Sequence, residues 1–113
     1  MRYALLVCAD EHEELTEEEA GRRYAEFMAF SDEMQARGVL VGRERLRPTE
    51  LSTVVRVRDE GLVVADGPFA ETKEQIAGFY VVDCEDLDEA IEIAAGSPGA
   101  RYGTIEVRPV WET

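Results

Sequence analysis

Two short segments are apolar at both strand parities, and they constrain the fold more than any other feature of the sequence. Arg2–Cys8 (RYALLVC) places Tyr, Leu and Val at one parity and Ala, Leu and Cys at the other, and Gly78–Cys84 (GFYVVDC) repeats the pattern. Side chains of a β-strand alternate between the two faces of a sheet. Each segment therefore predicts a strand that must be covered on both faces, as central strands are.

Two helices are predicted from capping residues and apolar periodicity. Thr16 is followed three residues later by Glu19, and Asp86 by Glu89, which is the spacing of side-chain caps at a helix start. Apolar residues then recur at helical spacing, and Gly38 is placed to end the first helix in a left-handed conformation.

Alternating residues and turn signals predict the remaining strands, at Val39–Leu46, Thr53–Arg58, Leu62–Ala65 and Thr104–Val110. Leaving aside the hairpin formed by the second and third of these, the order is β-α-β-β-α-β. The predicted fold class is therefore α+β: a ferredoxin-like antiparallel sheet with an inserted β-hairpin and two helices on one face. We expect a single domain over residues 1–113.

Two helices leave the other face of such a sheet uncovered. Apolar side chains from both central strands would then be exposed, and a contiguous apolar patch usually marks an interface. We therefore predict a homodimer in which two sheets face each other, a dimeric α/β barrel. Tyr3 and Tyr80 are candidates to face the partner sheet, where a phenol can hydrogen-bond a ligand.

Charge and composition exclude several function classes. The chain has 25 acidic and 12 basic residues, a net charge of −13, which argues against binding nucleic acid or an anionic membrane. No apolar run approaches the roughly 20 residues of a membrane helix, and we predict a cytoplasmic protein. Cys8 and Cys84 lie in apolar strands at opposite ends of the predicted sheet, so no disulfide is expected.

A long segment beginning at Asp66, DGPFAETKEQIAGFYVVDCEDLDEA, and the closing TIEVRPVWE resemble the YCII-related family, in particular its branch named for the DGPF tetrapeptide. The similarity extends back through GVLVGRERLRP and TVVRVRDEG and covers nearly the whole chain. The resemblance implies a dimeric α/β-barrel fold and a distant relation to ring-forming degradative enzymes such as muconolactone isomerase. It also implies a link to alternative sigma factors, beside which members of the branch are often encoded.

The sequence departs from the broader family at one position. The family's proposed acid–base pair consists of a histidine from the first helix and an aspartate. Here the helix from Thr16 to Arg37 contains no histidine, and Phe27 stands near the corresponding place. The one histidine, His12, precedes the helix in an acidic loop, so the sequence does not predict a histidine base.

Asp66 is the first candidate for a catalytic carboxylate, because it ends a strand at a Gly-Pro turn that can direct it into a cleft. The alternative is structural: such a carboxylate often accepts backbone N–H bonds and locks its turn. Glu71 and Lys73 are candidates to flank the same pocket; alternatively they are solvated residues of a short helix.

Five of the 12 basic residues are concentrated on one strand and the adjacent hairpin, and these are Arg43, Arg45, Arg47, Arg56 and Arg58. A guanidinium group suits forked recognition of a carboxylate, and we predict Arg43 and Arg45, with Tyr80, as ligand-binding residues. The alternative is cross-strand pairing with neighbouring carboxylates. Apolar residues of the first helix are expected mainly in the core, with a hydrophobic pocket as the second hypothesis, and these are Tyr24, Phe27, Met28, Phe30 and Met34.

Two functions are favoured over a third, metal-dependent chemistry that uses the acidic loop. In the first, a small organic ligand binds in a cleft at the sheet–sheet dimer interface, with cofactor-free proton transfer by Asp66. In the second, a non-enzymatic regulatory protein presents an acidic surface to a basic partner such as a sigma factor. We expect no cofactor and no metal, because the acidic runs lack the ligand spacing of zinc or calcium motifs and no phosphate loop is present.

Overall fold

The computed structural model describes residues 1–112, which form six strands, three α-helices and one 3-10 turn. In chain order the elements are β1 (Arg2–Ala9), α1 (Glu17–Ala36), β2 (Leu40–Arg45), the 3-10 turn (Thr49–Leu51), β3 (Thr53–Arg58), β4 (Gly61–Asp66), β5 (Gln75–Asp83), α2 (Leu87–Gly96), α3 (Pro98–Tyr102) and β6 (Thr104–Pro109).

The main sheet has four antiparallel strands in the order β2-β5-β1-β6. The two strands that are apolar at both parities are thus the central pair, and they are joined in a register that sets Leu5 opposite Tyr80. The predicted ferredoxin-like arrangement is confirmed.

Both predicted helix starts are capped as expected. The Thr16 hydroxyl accepts from the backbone N–H of Glu19 at 3.1 Å, and the Asp86 carboxylate accepts from the N–H of Glu89 at 2.9 Å. Gly38, with φ of 75°, follows α1 in the left-handed conformation that favours glycine. Local chemistry alone therefore determines where these helices begin and where the first one ends.

A third helix, α3, was not predicted. Ser97 accepts from the N–H of Gly99 at 3.2 Å and caps it, and Pro98 occupies its first turn. Five residues are too few to produce a periodic apolar pattern, so the helix left no signal of the kind used to predict α1 and α2. None of the helices within the described residues is long and apolar enough to cross a membrane.

The helices cover the sheet face that carries Tyr3, Leu5 and Val82. Tyr3 is 3% exposed and Tyr80 6%, and the Tyr80 ring meets Phe30 of α1 edge-on with centroids 5.4 Å apart. The expectation that these two tyrosines face a partner sheet is therefore wrong. Both parities of the central strands are apolar, so the pattern did not distinguish the face that the helices would cover.

The opposite, open face of the sheet carries half-buried apolar residues and a charged edge. Leu6 lies opposite Phe79 on one side and Glu106 on the other, and Ala4 lies between Val81 and Arg108 in the same way. Cys8 and its cross-strand partner Ile76 extend this apolar surface. No helix of the described chain packs on this face, as predicted.

The hairpin β3–β4 forms a separate two-stranded sheet, and every residue from 55 to 66 is exposed. Gly61, with φ of 110°, closes its turn. The radius of gyration is 16.1 Å, against about 13 Å for a compact domain of this length, because the hairpin projects from the body. The segment that follows is irregular, so the predicted short helix around Glu71 and Lys73 does not form.

Replacing Gly103 by Ala should destabilise the fold by about 2 kcal/mol or more, because the added Cβ would lie 2.2 Å from the Cys8 carbonyl oxygen and force the backbone apart. The matched control is Gly21→Ala in α1, where a Cβ meets nothing within 4 Å. This variant should gain roughly 0.5–1 kcal/mol from helix propensity. Urea unfolding of both variants measures the difference, and equal stabilities would contradict the close approach at Gly103.

Candidate ligand-binding cleft

A cavity of about 330 Å³ lies between α1 and the helix-covered face of the sheet. Its walls are one side of α1, strands β2 and β5, the segment that follows β1, and the glycines at either end of α3. Small-molecule sites commonly occupy about 300–1,000 Å³. The cleft is therefore large enough for a small organic molecule, and one chain forms it without a partner.

Apolar side chains of α1 form one wall of the cleft. Tyr24, Phe27 and Met28 line it, whereas Phe30 and Met34 are buried in the core. The core role and the pocket role predicted for the apolar residues of the first helix are thus both partly correct, since the apolar side of α1 is wider than the sheet can cover. Its outer portion faces the cavity.

Arg43 and Arg45 of β2 line the cleft from the sheet side. They lie opposite Tyr80 and Gly78 respectively, so they share the parity that the helices cover. The Arg45 guanidinium lies 5.7 Å from the centre of the Tyr24 ring, a cation–π contact. Both arginines are exposed, which places their charges at the mouth of the cleft.

Neither of these arginines has a carboxylate partner within 4.0 Å in residues 1–112. The same holds for Arg47, Arg56 and Arg58 in the described part of the chain, so the predicted cross-strand ion pairs do not form. Arg56 instead lies 4.8 Å from the centre of the Phe69 ring on the projecting hairpin. The five arginines therefore divide between two places, and only Arg43 and Arg45 line the cleft.

A polar network fixes the wall opposite the strands. Arg23 of α1 donates two hydrogen bonds to the Glu13 carboxylate, both at 3.0 Å, and its guanidinium lies 3.9 Å from the centre of the Tyr102 ring. The Tyr102 hydroxyl donates to Glu26 at 2.8 Å, and Arg101 pairs with the same carboxylate at 2.6 Å. At one end of the cavity, the network connects α1 and α3 to each other and to the segment that follows β1.

The acidic segment before α1 is also held at its other side. Glu11 accepts from the Thr49 N–H at 2.8 Å and from the Thr49 hydroxyl at 2.6 Å, and Asp10 accepts from the backbone N–H of His12 at 2.9 Å. The carboxylates of this segment that line the cleft, Asp10, Glu11 and Glu13, therefore all have partners other than Arg43 and Arg45. Their role in shaping the site was not predicted from the sequence, in which the acidic run was noted only as lacking the ligand spacing of a metal motif.

The cleft also contains a buried hydroxyl that sequence reasoning did not single out. Ser31 is 2% exposed, lines the cavity, and its Oγ has no hydrogen-bond partner in the described chain. The only sequence signal was a serine seven residues after Tyr24 on an otherwise apolar stripe.

The structure brings together three of the six residues predicted for the site, Arg43, Arg45 and Tyr80. Asp66 is the last residue of β4, exposed and paired with Thr53 across the hairpin. Glu71 and Lys73 are exposed in the irregular segment that follows. These last three do not line the cleft of the chain that carries them.

The two thiols lie apart, as predicted. Cys8 is opposite Thr104, whereas the backbone N–H of Cys84 bonds to the Met1 carbonyl at the other end of the sheet. Burial raises the pKa of both thiols, which opposes nucleophilic chemistry. Among residues 1–112 no three His, Cys, Asp or Glu side chains form a group that would hold a metal ion.

Comparison with known proteins assigns the chain to a family. The model of the YCII-related domain matches residues 1–113. The chain belongs to the YCII-related family. An uncharacterised protein of Rhizobium meliloti (strain 1021) is 39% identical over 114 residues, which cover 97% of this chain and 92% of the relative. The DGPF tetrapeptide at Asp66–Phe69 is compatible with the DGPF branch of the YCII-related family. Phe27 of α1 lines the cleft.

Replacing Arg23 by Gln should raise the pKa of Glu13, which the hydrogen bonds from Arg23 hold below its ordinary value of 4.5. Since the folded-state pKa is lowered, the stabilisation is complete above about pH 4.5 and is lost as the pH falls through the folded-state value. The free-energy difference between wild type and variant should therefore be larger at pH 7 than at pH 3.

The measurement is an NMR titration of the Glu13 carboxyl together with urea unfolding at the two pH values. The control is Arg22→Gln, since Arg22 has no ion pair within residues 1–112. A pKa of Glu13 that is unchanged in Arg23→Gln, or shifted equally in Arg22→Gln, would disprove the pairing.

Proposed function

We propose that this YCII-related protein binds a small organic anion with an aromatic or apolar body in the cleft between α1 and the sheet. The observation that carries the proposal is the placement of Arg43 and Arg45 at the mouth of a largely apolar cavity, with no carboxylate partner among residues 1–112. A guanidinium fork binds a carboxylate with two parallel hydrogen bonds. The aromatic and thioether side chains of α1 suit a flat apolar body.

The charge of the chain strengthens this argument. Carboxylates outnumber basic groups by 25 to 12, and four other arginines do pair with glutamates, namely Arg2, Arg23, Arg101 and Arg108. The cleft-lining acids of the loop before α1 are held by other groups. Two cations at the mouth therefore remain available for an anion from solution.

This cleft differs in place from the one predicted from the sequence. The prediction put the ligand between the sheets of a dimer, on the open face, whereas the cavity supporting the present proposal lies on the helix-covered face of one chain. Proton transfer by Asp66 stays a prediction, and its position on the hairpin gives no support for a role in this cleft. The cytoplasmic location and the association with a sigma factor also stay predictions.

Replacing Arg45 or Arg43 by Gln should weaken the binding of trans-cinnamate, our probe for an aryl carboxylate, by about tenfold each, because each variant loses a charge-assisted hydrogen bond. Calorimetric titration at low and high salt measures the dissociation constants. Binding by wild type should weaken with salt, and that by the double variant should depend on it less.

Arg56→Gln and Asp66→Asn serve as controls, because both residues lie on the projecting hairpin. We expect wild-type affinity in both. Equal weakening in Arg56→Gln would mean that cinnamate responds to net charge and not to the cleft. Loss of binding in Asp66→Asn would place the ligand at the DGPF turn and favour the catalytic hypothesis for Asp66.

We further propose that two copies associate through the open face of the sheet. The support is the continuous apolar surface formed by residues such as Leu6, Phe79 and Val81, together with exposed valines on both strands of the hairpin. A two-stranded hairpin alone has marginal stability in water, and packing against a second copy would stabilise it. The helix-covered face, with the ligand cleft, stays accessible in such a dimer.

Val81→Arg should convert the protein to a monomer, because a charge on the open face would be buried without a partner in the dimer. Sedimentation velocity should give about twice the chain mass of 12.7 kDa for wild type and the single mass for the variant. The control is Ile91→Arg, which replaces an exposed apolar residue of α2 on the other side of the molecule. A wild-type monomer at micromolar concentration would refute the proposed dimer.

A further inference from the structure

Ser31 is the one buried side-chain polar group in the described chain that lacks a hydrogen-bond partner. Buried hydroxyl groups in folded proteins nearly always have one. A serine inside a helix commonly bonds back to the carbonyl oxygen four residues earlier, and Ser31 does not. Ser31 also lines the cleft, although its Oγ is shielded from solvent in the ligand-free chain. Rotation of the side chain about χ1 would present the hydroxyl to a molecule bound there.

The position of Ser31 gives the cleft a second polar end. Ser31 is seven residues after Tyr24, which corresponds to two turns and roughly 10 Å along the axis of α1. Tyr24 marks the mouth, where the Arg45 guanidinium lies over its ring, whereas Ser31 is 2% exposed and therefore lies at the inner end. The side chains between them on α1, Phe27 and Met28, are apolar.

From this arrangement we infer that Ser31 determines specificity for the far end of the ligand. The inference rests on the proposed function and names its substrate class: rigid aromatic or unsaturated carboxylic acids that carry a hydroxyl or carbonyl group remote from the carboxylate. The carboxylate binds Arg43 and Arg45, the apolar body packs on Phe27 and Met28, and the remote polar group exchanges a hydrogen bond with the Ser31 hydroxyl.

The chemistry of Ser31 explains why such a ligand is preferred to its unsubstituted analogue. A hydroxyl both donates and accepts, so either a phenol or a carbonyl satisfies it. An acid that ends in a plain ring leaves the hydroxyl desolvated and unpaired in the complex, and sites with a buried polar group discriminate against ligands that lack its partner.

The experiment compares two matched pairs of acids, trans-cinnamate with 4-hydroxycinnamate and benzoate with 4-hydroxybenzoate. The cinnamates are longer than the benzoates. Two lengths are tested because the distance between the Arg45 guanidinium and the Ser31 hydroxyl depends on the conformations of both side chains. Dissociation constants are measured by calorimetry or NMR for wild type and for Ser31→Ala. Wild type should bind the hydroxylated member of at least one pair about 5- to 10-fold more tightly. Ser31→Ala should abolish that preference by weakening only the hydroxylated acid.

A second readout separates recognition from a structural role. Because the hydroxyl has no partner among residues 1–112 of the ligand-free protein, Ser31→Ala should leave its unfolding free energy unchanged or raise it. A clear loss of stability in Ser31→Ala would show that the hydroxyl serves the fold and would overturn the inference.

The binding outcomes distinguish this inference from the proposed function. If wild type binds both members of each pair equally and Ser31→Ala changes neither affinity, the hydroxyl does not contact the ligand and the inference fails while the cleft proposal stands. If no acid binds to wild type, the proposed function fails and the inference falls with it. Retention of the preference in Ser31→Ala would assign the remote polar group to another residue and would also refute the role of Ser31.

Discussion

The antiparallel pairing of β1 with β5 is the constraint on which the rest of this structure depends. It aligns two strands that are apolar on both faces and so creates two apolar surfaces, one of which the helices cover. Tyr3, Leu5 and Val82 then form the core with α1 and α2, while Leu6 and Val81 remain on the open face. The ligand cleft and the proposed dimer surface are consequences of the same pairing, on opposite sides of one sheet.

The cleft exists because α1 does not close onto the whole of its sheet face. Three glycines line it, and two of them are Gly78 on β5 and Gly99 at the start of α3. A Cβ at Gly78 would lie 2.8 Å from the Glu44 carbonyl oxygen, and one at Gly99 would lie 2.9 Å from Val7. Close packing at these two positions therefore requires glycine. The missing side chains also leave space beside Tyr24 and Phe27 of the helix.

The charges of the chain have different functions at the two sides of this cleft. Glu11 and Glu13, which belong to the acidic run before α1, accept hydrogen bonds from Thr49 and Arg23 and hold this segment in place. Arg43 and Arg45 have no acidic partner in the part of the chain that the structure describes, although the protein carries a net charge of −13. An acidic protein can thus present a local cationic site, because the carboxylates of the segment before α1 are already engaged in hydrogen bonds. Glu44, between the two arginines in sequence, has the opposite strand parity.

The sequence by itself determined the strand order, the starts of α1 and α2 at Thr16 and Asp86, the hairpin, the open sheet face and the family. These follow from side-chain parity, capping and turn chemistry, which act between neighbours in the chain. Tertiary structure alone decided which parity the helices cover, and hence that Tyr80 faces α1 and the cleft and not a partner sheet. It also separated Asp66 from Arg43 and left the Ser31 hydroxyl unpaired inside the cleft. These outcomes depend on contacts between residues distant in sequence, for which the local pattern allows more than one arrangement.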